Sequence, residues 1–406
     1  MTVYALSIHA GWRCDRSGAC CTSGWPIPVE RALDLRLRRA LHAGVLELGA
    51  TVAGTRARDA ASPRSTTTLL LPRVPGLDAE HAALLGLDPR GRCLFFEPAG
   101  RGAAACTLQR QLGQDALPVA CRLFPRVCRL EPRGVSITLS HYCPTAAALV
   151  LRDDVLLEVV RDPPAFPDHG GYEGLDARDA LPPLLRPDAL FDWDSHAQWE
   201  RHAVAMLARH DLTAEAALDL LAARAERVRA WRASDGPLGA WMDATLSAEA
   251  QPEPGLLHHL HALDEERAGD LDLFRRVLAS VPAEARDLAR DVADVPVDGA
   301  VLADVDERYV APAWSGFARP VRRFLAAKAF ASWCAHQGRG LRTNVLELAV
   351  ALAVLRVQAA RLGARAGRTI DGALFIEALR ASDLLLLHLV SREGLAAALS
   401  ACEQRA

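Results

Sequence analysis

Ten cysteines punctuate this chain, and eight of them fall between Cys14 and Cys143. Even scatter over 406 residues would put about three in that stretch. Cys334 and Cys402 are accounted for as small buried hydrophobes, but the N-terminal concentration is not. The opening residues, MTVYALSIHAGWRCD, carry neither a basic start nor a long apolar run, so they do not read as a secretory leader. The expected compartment is the cytoplasm, where thiols serve as metal ligands or reactive groups more often than as disulfides.

Half of the residues are hydrophobic and 24% are charged, which provides for a real core and excludes wholesale disorder. A chain of this length predicts roughly two to three domains. The net charge of −3 gives no electrostatic reason to expect a nucleic-acid partner. Lys328 is the only lysine among 47 basic residues, so any single arginine is weak evidence for a role. The most apolar run, Val345 to Leu355, is interrupted by Glu347 and falls short of the ~20 residues that span a bilayer. No membrane partner is expected.

The pattern divides near residue 150. Residues 1–150 mix thiols, Gly and Pro with short periodic stretches, and residues 151–406 turn helical. The expected fold is mainly α, with a cysteine-rich α-plus-irregular N-terminal region packed on a larger helical C-terminal domain. Val29 to Leu41 reads as a helix and Leu69 to Leu71 as a strand ending at Pro72, after a Thr-rich loop around Ser62 to Thr68. Ala214, Leu218, Leu221, Ala225 and Val228 share one face of a 3.6-period helix, with Thr213 as its N-cap. Asn344 with Glu347 resembles a capping box opening a buried helix, and a further helix is placed from about Thr369. Pro163 to Gly174 and Ala250 to Gly255 read as loops.

Two groups of thiols could carry chemistry. In the first, Cys14, Cys20 and Cys21 flank Gly18, whose backbone freedom lets side chains converge. Adjacent side chains diverge in strands and helices, so Cys20 and Cys21 suggest one ligand and one packed thiol, or ligands to two centres. The second comprises Cys93, Cys106, Cys121, Cys128 and Cys143. None of these spacings is a zinc knuckle. Eight thiols could hold two tetrathiolate zinc sites, or one iron–sulfur cluster with cysteines to spare. Arg122 and Arg126 could offset cluster charge, a reading the arginine bias weakens.

Taken in order, Cys14…Cys20-Cys21 with Gly24-Trp25, Cys93-Leu94-Phe95, Cys106-Thr107-Leu108 with Gln111-Leu112-Gly113, Ala120-Cys121-Arg122 with Phe124-Pro125-Arg126, and Leu139-Ser140…Cys143-Pro144 form a specific set. On these residues the chain resembles the CxxCxxCC zinc- or iron-chelating family, the YkgJ-like cysteine-cluster proteins. Within that family it is most similar to the flagellin lysine-N-methylase (FliB-like) branch. The resemblance covers the first ~150 residues and thins beyond them, where Phe324-Leu325-Ala326…Phe330 is similar to the family's helical region. It implies a metal-binding protein, with a [4Fe-4S] cluster or alternatively zinc, whose ligands come from Cys14, Cys20, Cys21, Cys93, Cys106, Cys121 and Cys143. It also implies S-adenosylmethionine as methyl donor and flagellin or another protein as lysine substrate. Cys128 has no counterpart in the motif and is expected to be a packed thiol. Two positions depart from the pattern: Ser17 stands where CxxCxxCC has its second cysteine, and Thr145 where the methylase branch tends to carry an acid.

Other motifs are weaker. Val45 to Gly54 superficially matches a cofactor-binding loop, without the strand–helix alternation that gives such loops meaning. His141 and Tyr142 could favour a neutral lysine amine, although a His-Tyr pair in an apolar strand is more often packing. His258, His259 and His261 read as a solvated helix end, and Trp193, Trp199, Trp231 and Trp241 as packing anchors. The functional expectation is an iron–sulfur methyltransferase, with a non-catalytic zinc- or iron-chelating structural or carrier module as the alternative.

Overall fold

Thr213 caps the helix Ala214–Arg229 by accepting the main-chain N–H of Ala216 on its hydroxyl at 3.1 Å. The five residues expected on its apolar face are all buried. In this computed structural model, which describes residues 1–46, 70–72, 80–98, 105–167, 171–248, 266–296 and 298–403, the chain is mainly helical as expected. Among the described residues, no helix is long and apolar enough to cross a membrane.

The chain divides into two compact units, one formed by 1–12 with 125–406 and the other by 13–124. The larger unit is organised around the 26-residue helix Leu341–Ala366, about 39 Å long at 1.5 Å per residue. Its Val345 to Leu355 stretch is buried on nearly every side, so helices pack around it on several faces. Each large aliphatic side chain buried in this way stabilises the unit by about 1.5–3 kcal/mol. Two helix starts differ from the sequence reading. The long helix opens at Leu341 after Gly340, so Asn344 lies inside it instead of capping it. The next begins at Gly372, and Asp371 is its cap, accepting from Leu374 N–H at 2.9 Å. It continues from Asp383 into a π-helical turn, Leu384–Leu389.

This unit also carries a five-stranded sheet that the sequence reading did not place. Arg126–Glu131 and Gly134–Leu139 form an antiparallel hairpin. Val3–Leu6 lies parallel to the second hairpin strand and antiparallel to Val159–Arg161, and Leu175–Asp176 extends the other edge. Gly134 is required where it stands: its φ is +139°, and a Cβ there would meet the carbonyl oxygen of Thr2 at 2.2 Å. The thiols of Cys128 and Cys334 are buried, as expected of packed cysteines.

The smaller unit has a helix at Arg31–His42, a little beyond the expected Val29 to Leu41, preceded by the strand Pro28–Glu30. That strand, His81–Leu85 and Leu70–Pro72 pair antiparallel, and the last of these is the strand expected before Pro72. Val29, Leu37, Leu85, Phe95 and Leu108 form its core, with Cys93, Cys106 and Cys121 packed against them. The loop around Ser62 to Thr68, the Ala250 to Gly255 linker and His258 to His261 lie outside the described residues, as does most of Val45 to Gly54.

Candidate metal centre

Gly18 turns the chain in the left-handed region, at φ +78°, and starts a single 3-10 turn over Ala19–Cys21. On that turn the sulfurs of Cys20 and Cys21 stand 3.9 Å apart. This corrects the expectation that neighbouring thiols diverge, which holds for strands and α-helices but not for this tighter turn.

Backbone hydrogen bonds then bring in the other thiols. Cys93 donates its N–H to Cys21 O at 2.8 Å, and Phe96 donates to Cys93 O at 3.0 Å. Phe96 in turn pairs with Cys106 in a short antiparallel ladder. Cys121 sits on the one-turn helix Val119–Leu123, whose first N–H is bonded to the Glu30 carboxylate at 2.9 Å. Glu30 was not singled out in the sequence. It lies 91 residues from Cys121, and no local pattern marks it.

The thiols also bias one another's ionisation. The Cys20 thiol is lowered to about 7 because the Cys21 S–H donates to it, and Cys21, which keeps that proton, is pushed up. Burial pushes Cys93 up to about 12, and negative charge on Cys106 and Cys20 adds to the effect. Cys106 is raised by burial and by Cys20 and Glu97, and Cys121 by burial and then by Cys93, Cys106, Cys20 and Glu30. Cys21, Cys93, Cys106 and Cys121 therefore resist ionisation partly because other thiols are near, whereas Cys20 is eased by its bond from Cys21. A cation placed among them would reverse that sign.

Cys14 and Cys143 stand differently. Cys14 is exposed, its sulfur 3.4 Å from the N–H of Arg16, and no hydrogen bond among the described residues links it to the five. Cys143 belongs to the larger unit, where it is buried at the start of the helix Pro144–Val150. Burial raises its thiol, and the N–H groups of Thr145 and Ala146 oppose that rise. Arg126, also of the larger unit, stacks its guanidinium on Trp12 and Phe166 at 5.1 and 5.7 Å. His141 is tied up in packing. Its main-chain N–H and Nδ1 face Asp383 Oδ2 at 2.6 and 3.1 Å, and Lys328 pairs with the other carboxylate oxygen.

Among the described residues, no three His, Cys, Asp or Glu side chains stand close enough to hold one metal ion. Tetrahedral zinc at Zn–S ~2.3 Å would set its sulfurs about 3.8 Å apart. The Cys20–Cys21 pair meets that spacing. A polynuclear cluster asks for something else: each thiolate binds its own iron, so the sulfurs surround a larger volume. Five soft thiol donors within the smaller unit suit that demand in kind. No protein-family model, curated protein or solved structure matches the chain.

Proposed function

We propose that the smaller unit holds a [4Fe-4S] cluster on thiolates drawn from Cys20, Cys21, Cys93, Cys106 and Cys121. We further propose that the protein, like the flagellin lysine-N-methylases it resembles, transfers methyl groups from S-adenosylmethionine to protein lysines in the cytoplasm. The observation that supports the first step is the geometry that ties Cys21 to Cys93 and Phe96 to Cys106 through the backbone, with the Cys20 and Cys21 sulfurs 3.9 Å apart. The methyl-transfer step rests on the sequence resemblance alone. A bound cluster would supply redox and Lewis-acid chemistry. The chain's own part is to hold the thiols partly buried and to release their protons as iron enters.

A second reading is a structural or carrier module in which zinc or iron staples the smaller unit. Its short strands and small apolar core favour this, because metal binding supplies folding energy that such a unit lacks. Anaerobic purification separates the two. Brown protein with about four irons and four sulfides per chain supports the cluster, and colourless protein with tightly held zinc supports the staple. Labelled S-adenosylmethionine and flagellin then test transfer. A cluster-bearing protein that moves no label would remove the methylase reading.

A further inference from the structure

Cys20 and Cys21 share the single 3-10 turn Ala19–Cys21, and their sulfurs are in contact at 3.9 Å. Two hydrogen bonds hold that turn through its backbone. Cys21 donates its main-chain N–H to Gly18 O at 2.9 Å, and the Ser23 hydroxyl donates to Cys20 O at 3.1 Å. Cys20 is exposed and Cys21 half-buried, so a small solute reaches the pair.

Two touching thiols are suited to one reaction above others, two-electron oxidation to a disulfide. An S–S bond measures about 2.05 Å, so the two sulfurs must approach by about 1.9 Å from their present 3.9 Å. Side-chain rotation supplies that approach, because adjacent Cα atoms already stand about 3.8 Å apart across a trans peptide. No second segment of the chain has to move. The same Cα separation is shorter than the roughly 4.4–6.8 Å of ordinary disulfides, so the small ring closes under strain. Strained and exposed disulfides are the labile ones, which a free thiol reduces again.

We propose that Cys20 and Cys21 of the metal-free chain are a modification site, joined by hydrogen peroxide into a reversible vicinal disulfide. In the first step the exposed Cys20 sulfur, having given up its proton, attacks one peroxide oxygen. The S–O bond forms, the O–O bond breaks, and the hydroxide that leaves takes up the proton the thiol lost. The Cys21 sulfur then displaces the oxygen from Cys20. The S–S bond forms, the S–O bond breaks, and the oxygen departs as water with the Cys21 proton. Two thiols are thereby oxidised, and one peroxide is reduced to two waters. A disulfide sulfur is no longer a thiolate donor, so the ring withdraws both residues from the metal set. That consequence rests on the proposed function, whereas the bond does not.

Arg16 and Arg31 bracket a tryptic peptide, residues 17–31, whose only cysteines are these two. The full chain, stripped of metal by a chelator, is treated with hydrogen peroxide until its free-thiol content is constant, then alkylated, digested and weighed. In most molecules the peptide should be unalkylated and two hydrogens lighter than the dithiol, and it should become doubly alkylated when dithiothreitol precedes alkylation. Cys14→Ser, which removes the other exposed thiol nearby in sequence, should give the same result. A peptide still doubly alkylated after peroxide, or one cross-linked to the peptide of Cys14 or Cys93, would overturn the proposal. A chain that binds neither iron nor zinc would defeat the proposed function and leave this mass measurement unchanged.

Discussion

The main-chain N–H of Cys93 donates to the carbonyl of Cys21 across 2.8 Å, joining two stretches 72 residues apart. The bond uses no side chain, so it positions both sulfurs while leaving them available to a ligand. Asp88 supports the same turn by accepting the N–H groups of Arg90 and Arg92 at 2.8 and 3.0 Å. Thiols mounted on backbone bonds of this kind are held in place before any metal arrives, which lowers the ordering cost of binding it.

Substitution within the five should therefore affect metal content before it affects fold. Cys93→Ser, Cys106→Ser and Cys121→Ser are each expected to lower iron per chain by at least half under anaerobic reconstitution, with far-UV circular dichroism unchanged. Cys128→Ser should leave iron at the wild-type level and cost only about 1 kcal/mol in stability, since its sulfur packs in the larger unit. Equal iron in Cys121→Ser and wild type would contradict the ligand assignment.

Acid should destabilise the larger unit in two separate windows. Burial holds His196 down to about 4, against about 6.5 in an unfolded chain, so the unfolded state binds the extra proton between those values. Stability contributed by keeping His196 neutral is thus intact above pH 6.5 and declines as pH falls toward 4, by about 3 kcal/mol in all. The Asp383 carboxyl is also depressed. Although burial alone would raise it, Lys328 and His141 outweigh that effect. Its contribution is therefore lost only further down, below the ordinary carboxylate range. Urea midpoints from pH 8 down to about pH 2 check this, and His196→Gln should shrink the upper window without removing it, because burial also lowers His9, His141 and His202.

Sequence legibility followed the range of the forces involved. Thr213 and its apolar stripe were readable because cap and period are local. Asn344 misled because an Asn with Glu three residues on also occurs inside a helix, and Gly340 had already begun this one. The hairpin Arg126–Glu131 and Gly134–Leu139 was less legible: Val135, Ile137 and Leu139 alternate with Ser136 and Thr138 after a Pro-Arg-Gly turn, but the strand is buried on both faces, so the period of two carries little contrast. The crowding of cysteines was legible. The contact of Cys20 with Cys21, the burial of Cys143 at the start of its helix and the place of Glu30 beside Cys121 depend on turns and pairings that no spacing encodes.

Lys328, alone of its kind in the chain, pairs with Asp383 where both side chains are at most 5% exposed, and its ammonium lies 4.9 Å from the Phe324 ring centre. Removing one member of a buried pair strands the other charge, so Lys328→Met should cost about 3–5 kcal/mol. Adding Asp383→Asn to the same chain should recover a good part of that loss, because the stranded carboxylate is then neutral. Denaturant midpoints of the single and double variants check this. A double variant less stable than Lys328→Met would mean that Asp383 is held chiefly by His141.

Two glycines at the ends of the longest helix should respond differently to alanine. Gly367 follows the helix with φ +63° and open space where a Cβ would go, so Gly367→Ala pays only the left-handed penalty of about 1 kcal/mol. Gly340 precedes it at φ +119°, and a Cβ there would stand 2.7 Å from Leu185 O and 2.8 Å from Arg186 Cα. Both neighbours are backbone and cannot rotate away. Gly340→Ala is therefore expected to cost roughly 2–4 kcal/mol, combining a disfavoured φ with displacement of the Leu184–Arg186 strand. Thermal unfolding of the two variants side by side tests the difference. If Gly340→Ala were as stable as Gly367→Ala, the close approach of Leu185 to the helix start would be wrong.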